Sequence, residues 1–375
     1  MNKILPGQTI GIIGGGQLGR MMALAAKEAG FFIAVLDPGE HSPCGQVADI
    51  EITAAFDDRE ALQRLANVSD VITYEFENIN ADALQWLSGI ANIPQGSELI
   101  RITQDRRLEK KMLDQSEVPV APYQIIEHEQ ELYDKIVSFG FPAVLKTSTG
   151  GYDGKGQVKL NSSEDLDEGA ALIAKNGPCV LEAFVNFEKE ISVIVHRNSS
   201  GQTTTLPIAE NIHVNHILHE SIVPARLKQQ ERELAITLAL RIADSIQLVG
   251  TLAVEMFVTE SEEIYVNELA PRPHNSGHYS IEACETSQFH QHIRAICNWP
   301  LKSTALIKPV VMVNVLGQHI DGVMNHLDHS PHWSVHLYGK AEAKENRKMG
   351  HVTILTGDIE ETLTEINDSQ IWKQT

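Results

Sequence analysis

No apolar run in the chain is long enough to cross a bilayer, which takes about 20 residues. The N-terminal stretch MNKILPGQTIGIIGGG has a lysine but no long apolar core and no small-residue cleavage site, so a secretory leader is not expected and a cytoplasmic setting is. Cysteine is scarce. Cys44, Cys179, Cys284 and Cys297 show no CxxC spacing, which speaks against a zinc site or a disulfide framework and for reduced, packed thiols. Positive charge is scarce too: 30 Lys and Arg against 50 Asp and Glu leave a formal net charge of −20. Non-specific nucleic-acid binding needs clustered Lys and Arg and is not expected. A phosphorylated small molecule would have to be met by local basic residues or bound Mg²⁺. No internal repeat or low-complexity tract is present.

What is present is ordinary globular material: 375 residues, 42% hydrophobic and 21% charged, enough for two or three packed units. The runs TIGII, FFIAVL, VADIEI and DVITYEF alternate with helical spacing over 17–30 and about 58–66. Strands alternating with helices imply a parallel sheet. This first unit ends near Pro94–Gly96, and a charged helix over 103–115 starts at a Thr or Asp cap. Then FPAVLKTSTGGYDGKGQVKL reads as a hairpin with a long glycine-rich tip, PCVLEAFV and EKEISVIVHRN as strands, 230–247 as an amphipathic helix, and TLAVEMFVTESEEIYVNELA as another hairpin. Short strands in VVMVNVLG, SVHLYG and GHVTIL suggest a small last unit.

Three motifs carry chemistry. Gly14, Gly16 and Gly19 form G-x-G-x-x-G between a strand and a helix, with Asp37 at the end of the next strand. This formal dinucleotide fingerprint is open to three readings: NAD, a different phosphate ligand (the preferred one), or a bare tight turn. The loop from Thr149 to Gln157 holds four glycines and Lys155; its N–H groups could fold over phosphate oxygens, with Lys146 on the preceding strand. It is not a Walker A loop, and a floppy hairpin tip is its bland reading. Third, a hairpin turn centred between Ser261 and Glu262 would set Glu255 opposite Glu268. At roughly 5 Å and an effective dielectric of about 20, their repulsion is on the order of 3 kcal/mol. A divalent cation would reverse that sign, and Mg²⁺ suits carboxylates shared with nucleotide phosphates. If the register differs, both are simply solvated. His213, His216 and His219 resemble a zinc cluster, but on one strand His216 would point away from the others; His326, His329, His332 and His336 read as surface residues.

The stretches GIIGGGQLGRM, TYEFENI, QDRRLEKKML, TSTGGYDGKGQ, EAFVNFEKEIS, AENIHVNHIL, VNELAPRPHNSGH and RKMGH resemble the ATP-grasp superfamily, and within it the 5-(carboxyamino)imidazole ribonucleotide synthases. They span nearly the whole chain. The resemblance implies an α/β protein: a Rossmann-like pre-ATP-grasp domain over 1–100, an ATP-grasp domain over 101–300 with a lid at about 120–185, and a small β-rich C-terminal domain over 301–375. It implies ATP, Mg²⁺, bicarbonate and aminoimidazole ribonucleotide as ligands, attack of bicarbonate on the γ-phosphate to give carboxyphosphate, a carbamate on the substrate amine, and a homodimer. Arg106, Lys146, Gly151, Tyr152, Asp153, Gly154, Lys155, Gly156 and Gln157 would hold nucleotide phosphates. Glu182, Ala183, Phe184 and Val185 would line the adenine pocket, Glu190 would meet the ribose, and His213 and Asn267 would touch the nucleotide. Glu255 and Glu268 would hold metal. Tyr152, Asp153, Arg272, His274 and Asn275 would be catalytic, the last three around bicarbonate. Gly16, Gln17, Leu18, Glu75, Asn78, Arg347 and Lys348 would bind the ribonucleotide. One departure stands out: many superfamily members have Asn two residues after the second metal-binding Glu, where this chain has Ala270, with Asn267 preceding instead.

The competing readings are formate-dependent glycinamide ribonucleotide formyl transfer, a biotin carboxylase, an NAD-dependent oxidoreductase resting on Gly14–Gly19 and Asp37, and a nucleotide-sensing protein without turnover. A thermal melt divides them at the first branch. ATP with Mg²⁺ should raise the melting temperature and NAD should not; a rise with NAD alone would overturn the nucleotide reading.

Overall fold

Runs as uniformly apolar as TIGII, FIAVLD and VITY suit strands covered on both faces, and they form the parallel centre of the first domain. The computed structural model describes residues 3–151 and 155–373; the expectations for Tyr152, Asp153 and Gly154 fall outside these. β1 (Thr9–Ile13), β2 (Phe32–Asp37), β3 (Ile50–Thr53) and β4 (Val71–Tyr74) pair in the order β3-β2-β1-β4. Helices Gln17–Glu28 and Arg59–Val68 supply crossovers, the second capped by Asp58, whose carboxylate accepts from the Glu60 and Ala61 N–H. The charged helix expected over 103–115 starts at Arg106: a short helix that was not expected, Glu98–Thr103, comes first and Arg106–Gln115 follows. Asp105 starts the second by accepting from the Arg107 N–H.

The segment expected to form a lid is a separate antiparallel sheet of β5 (Tyr123–Ile126), β6 (Ala143–Thr147), β7 (Gln157–Leu160) and β8 (Cys179–Ala183), ordered β5-β8-β6-β7. Helices Glu129–Phe139 and Leu166–Asn176 close its core of Ile126, Leu132, Leu145, Leu160 and Leu181. The glycine-rich loop is the tip of the β6–β7 hairpin, with Lys146 paired to Gln157.

The remaining strands are β9 (Phe187–Arg197), β10 (Thr203–Thr205), β11 (Ala209–Val214), β12 (Ile217–Val223), β13 (Gly250–Thr259), β14 (Ile264–Ala270), β15 (Val310–Leu316), β16 (Trp333–Leu337) and β17 (Lys348–Leu355). They form one antiparallel sheet in the order β14-β13-β9-β11-β12-β15-β17-β16, with β10 on β9. Because β15 pairs with β12, the C-terminal strands extend the central sheet. The helix Gln229–Ser245 covers one face through Ala235, Leu238, Ala239 and Ile242.

His213 and His219 sit on different strands, β11 and β12, with His216 in the turn between them at φ 64°. Among the described residues, no group of three or more His, Cys, Asp or Glu is arranged to hold a metal. His336, expected on the surface, is half-buried: its ring stacks on His351 at 4.6 Å and Nε2 lies 2.5 Å from Glu282 Oε1. Burying this ring on the inner side of β16 covers His351, itself inaccessible to solvent.

The helix Gln288–Ile296 joins the domains. Phe289, Ile293 and Ile296 enter the core of the first domain beside Ile10, Met22 and Val71. Across the same junction runs a buried polar chain. Thr73 Oγ1 donates to Gln95 Oε1 at 2.5 Å, so His292 Nε2 must donate to Thr73, 2.8 Å away. His292 Nδ1 then accepts from Thr251 Oγ1 at 3.1 Å, and His196 Nδ1 donates to Thr251 at 2.8 Å. This order requires a neutral His292, His196 Nε2 is buried without a partner, and burial pushes both rings down to about 3.

Acid sensitivity follows. The unfolded chain takes up these protons near the ordinary histidine pKa of about 6.5, whereas the folded chain refuses them until about 3. Stability is therefore fully present above that upper value and falls as pH drops through it, by roughly 2 kcal/mol per histidine at pH 5. Urea unfolding at pH 7 and pH 5 should show the loss. His292→Gln, which keeps a donor and an acceptor, should remove the His292 share and roughly halve the loss; an unchanged slope would contradict the neutral-imidazole chain.

Candidate active site

The β13–β14 hairpin turns around Ser261, half a step earlier than expected, so Val258 faces Ile264 and Met256 faces Val266. Continued without interruption, that register would oppose Glu255 to Asn267. A bulge between Met256 and Glu255 inserts Asn267 as the extra residue and brings Glu268 opposite Glu255. The burial pattern agrees: Ile264, Val266 and Leu269 all enter one apolar cluster, which leaves the consecutive Asn267 and Glu268 to the other face. The opposition is as expected, but the bulge produces it. Burial, and then Glu268, push the Glu255 carboxyl well above the usual carboxylate range.

Cations close in from the helix Arg106–Gln115 and from the lid. Arg106 Nη1 stands 3.5 Å from Glu268 Oε2, and its N–H donates to Ser148 O at the base of the glycine-rich loop. A Cβ on Gly151 would come within 3.9 Å of Arg106 Nη2, so the loop and Arg106 share a space. Lys146 Nζ donates to Glu182 Oε2 at 2.9 Å and to Asn267 Oδ1 at 3.4 Å. Burial would raise Glu182, but Lys146, Lys110 and Arg106 hold it down at about 2. Glu109 lies behind, accepting from the Leu269 N–H at 2.9 Å; burial pushes it up to about 7. Gly156 and Gln157 end the loop on β7, and Lys155 is exposed.

A pocket lined by Glu190, Asn211, His213, Glu255 and Asn267 continues the site across the sheet. His213 Nδ1 meets Glu190 Oε2; burial opposes the imidazolium, but Glu190 outweighs it and raises His213. His274 Nε2 lies 3.4 Å from Glu255 Oε1 and its Nδ1 2.9 Å from Ser276 Oγ. Burial, with Arg272 and Lys348, keeps His274 well below the ordinary histidine range, so its contact to Glu255 is that of a neutral ring. Arg272 is bidentate to Glu77, at 2.8 and 2.6 Å. The Asn275 and Asn314 amides exchange bonds of 2.9 and 2.8 Å, tying the loop after β14 to β15. Ala183 and Phe184 spend their N–H groups on Pro122 O and Pro142 O, so these two would offer a purine their carbonyl oxygens. Val185 follows at the exit of β8.

The N-terminal glycines are occupied from within. Glu75 Oε1 accepts from the Gly16 N–H and Oε2 from the Gly19 N–H at 2.7 Å. Asp37 accepts from Gly15 and Gly39, at 2.7 and 2.8 Å. A pyrophosphate would have to displace one carboxylate from the helix N-terminus and sit near the other, which argues against the dinucleotide reading. Gly14, at φ +104°, brings the backbone so close to Glu75 that a Cβ would lie 2.4 Å from its Cγ. Leu18 packs its side chain in the core, so only its backbone could serve a ligand; Gln17 is half-exposed and Asn78 exposed. Facing Glu75 from the turn between β16 and β17 is a basic group. Lys340 Nζ donates to Lys348 O at 2.7 Å; burial, with Arg347 and Lys348, lowers Lys340 to about 8 while Glu75 works the other way. Gln46 Nε2 donates to Gly339 O at 2.7 Å and ties this turn to the first domain.

Comparison with known proteins accounts for the whole arrangement. Residues 7–104 match the ribonucleotide synthetase preATP-grasp domain, 111–289 the ATP-grasp domain and 310–365 the phosphoribosylaminoimidazole carboxylase C-terminal domain. The chain is 53% identical over 365 residues to the N5-carboxyaminoimidazole ribonucleotide synthase of Bacillus subtilis (strain 168), covering 97% of this chain and 96% of that protein. The chain belongs to the N5-carboxyaminoimidazole ribonucleotide synthase family. A crystal structure of such a synthetase with ADP superposes with a TM-score of 0.97 at 59% identity, covering 99% of this chain and 98% of that one. The Aspergillus clavatus synthase, in complex with ADP and 5-aminoimidazole ribonucleotide, gives 0.90 at 31% identity, covering 97% of each chain. The ATP-grasp fold, its pre-ATP-grasp domain and the C-terminal domain are those of this synthase family.

Four residues of the site escaped the sequence reading. Glu77 lay inside the quoted TYEFENI, two residues after Glu75, and Glu109 and Lys110 inside QDRRLEKKML; a motif shows which segment matters but not which carboxylate meets which cation. Lys340 had no motif, only its place after SVHLYG.

A Cβ at Gly16 would come 2.5 Å from Glu75 Oε1. Gly16→Val should therefore expel Glu75 from the helix N-terminus before any ligand arrives. The Michaelis constant for the ribonucleotide should rise tenfold or more, about 1.4 kcal/mol, with a lower melting temperature and little change in ATP affinity by titration. Lost ATP affinity with an unmoved acceptor constant would reverse the assignment of the two sites.

Proposed function

We propose that the chain uses ATP and bicarbonate to carboxylate the amine of 5-aminoimidazole ribonucleotide, giving ADP, phosphate and N5-carboxyaminoimidazole ribonucleotide, a step of purine biosynthesis. One observation carries the reading: the Glu255–Glu268 pair lies between the cations Arg106 and Lys146 on one side and Arg272 and His274 on the other, which adjoin Glu77 and the second, basic site. An ATP-grasp ligase needs that order of parts, because the γ-phosphate must meet an acid before the acid meets an amine.

ATP lies against Arg106, Lys146 and the glycine-rich loop in this reading, with Gly151, Lys155, Gly156 and Gln157 contributing from its described part. Glu190 receives the ribose, and Glu182 through Val185 flank the adenine. Phosphoryl transfer needs positioning and charge neutralisation more than covalent help. The two opposed carboxylates, one of them driven toward protonation by burial and then by the other, form an acidic donor set that a cation would relieve. Mg²⁺ held by Glu255 and Glu268, with Asn267 on the same face, would neutralise the phosphates. Arg272 and Asn275 orient bicarbonate and then carboxyphosphate. Neutral His274 has Nε2 toward Glu255 and is able to hold a proton at that atom. The ribonucleotide phosphate is met by Lys340, Arg347 and Lys348, and the rest of the acceptor by Gly16, Gln17, Leu18, Glu75 and Asn78. A loop closing over the site keeps water from the labile carboxyphosphate. A homodimer and a cytoplasmic setting belong to the same reading.

ADP release tests it. Release should require bicarbonate and 5-aminoimidazole ribonucleotide together, and formate with glycinamide ribonucleotide should not replace them. Glu268→Gln keeps the shape and removes a charge, so it should abolish most Mg²⁺-dependent release at an unchanged melting temperature. Near wild-type activity of that variant across a Mg²⁺ titration would remove the carboxylate pair from the mechanism.

A further inference from the structure

Lys110 is one of the largest side chains with no solvent exposure. A lysine ammonium is rarely fully buried unless it is paired, and this one has two oxygens: Glu182 Oε1 and Asn267 O, each at 3.4 Å. Lys146 contacts the same two residues from the ligand side, through Glu182 Oε2 at 2.9 Å and Asn267 Oδ1 at 3.4 Å. The four residues make a closed ring. One carboxylate has a lysine on each oxygen, and one asparagine offers its backbone to the first lysine and its side chain to the second. The two lysines differ in access, since the Lys146 side chain is 14% exposed and that of Lys110 1%. Lys110 is shielded from any ligand that Lys146 could reach.

Charge bookkeeping gives this ring a purpose. Arg106 and Glu109, the next charges, largely offset each other; Glu182 with Lys146 alone would then be neutral, and an arriving phosphate would compete with a buried carboxylate for that ammonium. Adding Lys110 leaves the trio with one net positive charge, and the exposed member carries it. We propose that Lys110 is a positioning residue for the nucleotide phosphates: it neutralises Glu182 from the core side and so releases the Lys146 ammonium to face the ligand. It touches neither substrate nor reacting atoms. Its effect passes through Glu182 and, by fixing Asn267 O, through the bulge that carries Glu268.

This inference rests on the ATP reading of the site, and ADP titration of wild-type protein, Lys110→Met and Lys110→Met/Glu182→Gln separates the two. Wild-type protein that binds no ADP would contradict the ATP reading itself. Given wild-type binding, Lys110→Met should weaken ADP on the order of tenfold or more, with the Michaelis constant for the ribonucleotide unmoved. The Glu182 side chain is taken up by the two lysines and only its backbone flanks the adenine, so the double variant, which removes both compensating charges and restores the net positive charge, should recover most of the lost affinity. A purely structural lysine would give no such recovery. Wild-type affinity in Lys110→Met, or a double variant weaker than the single one, overturns the proposal. So does a loss of folding in Lys110→Met that Glu182→Gln does not repair, because Lys110 would then be holding the core and not balancing a charge.

Discussion

One inserted residue decides which way the chemistry of this protein points. Side chains alternate faces along a strand, so a slip of one position moves a residue from core to ligand side. Without the bulge at Asn267, β13 and β14 would set Glu255 against Asn267 and turn Glu268 into the apolar face occupied by Val266 and Leu269. With it, Asn267 and Glu268 share the face of Glu255. Arg106 then finds Glu268, Lys146 finds the Asn267 amide, Lys110 finds the Asn267 carbonyl and Glu109 finds the Leu269 N–H. Each contact reaches β14 within three residues of the irregularity. The repulsion that the bulge creates is sustained by a surplus of cations on the helix and lid beside it.

The two ends of the site are joined by charge across a domain boundary. Arg272 follows β14, and its partner Glu77 follows β4 of the first domain, two residues beyond the carboxylate that fills the helix N-terminus. Both acids leave the same strand end and take opposite roles: Glu75 satisfies backbone amides, and Glu77 holds a guanidinium. Displacement at either end would reach the other through about three residues of backbone.

Much of this was legible in the sequence. Apolar runs and helical spacing gave the parallel unit and both hairpins, because these depend on patterns a few residues long. The Val-Asn-Glu-Leu run of β14, two polar residues in succession between apolar ones, carried the bulge in plain view, yet a simple turn count reached the same pairing by a compensating error. The occupied helix N-terminus was hidden for another reason. G-x-G-x-x-G says that something anionic suits the amides, and only the fold shows that Glu75, more than fifty residues on, already supplies it. The roles of Glu77, Lys110 and Lys340 were invisible because partners far apart in the chain define them.

The pairing of β12 with β15 has a consequence for how the chain can be divided. Glu220, Ser221, Ile222 and Val223 pair with Val313, Met312, Val311 and Val310. A protein ending before residue 310 would bare that row of backbone donors and acceptors beside apolar Ile222 and Val223, and an open strand edge of this kind recruits strands from other chains. The chain from residue 310 onward therefore acts as an edge guard for the central sheet as well as carrying the basic turn. Selection could exchange or decorate this segment, but could not discard it without supplying another cover for β12.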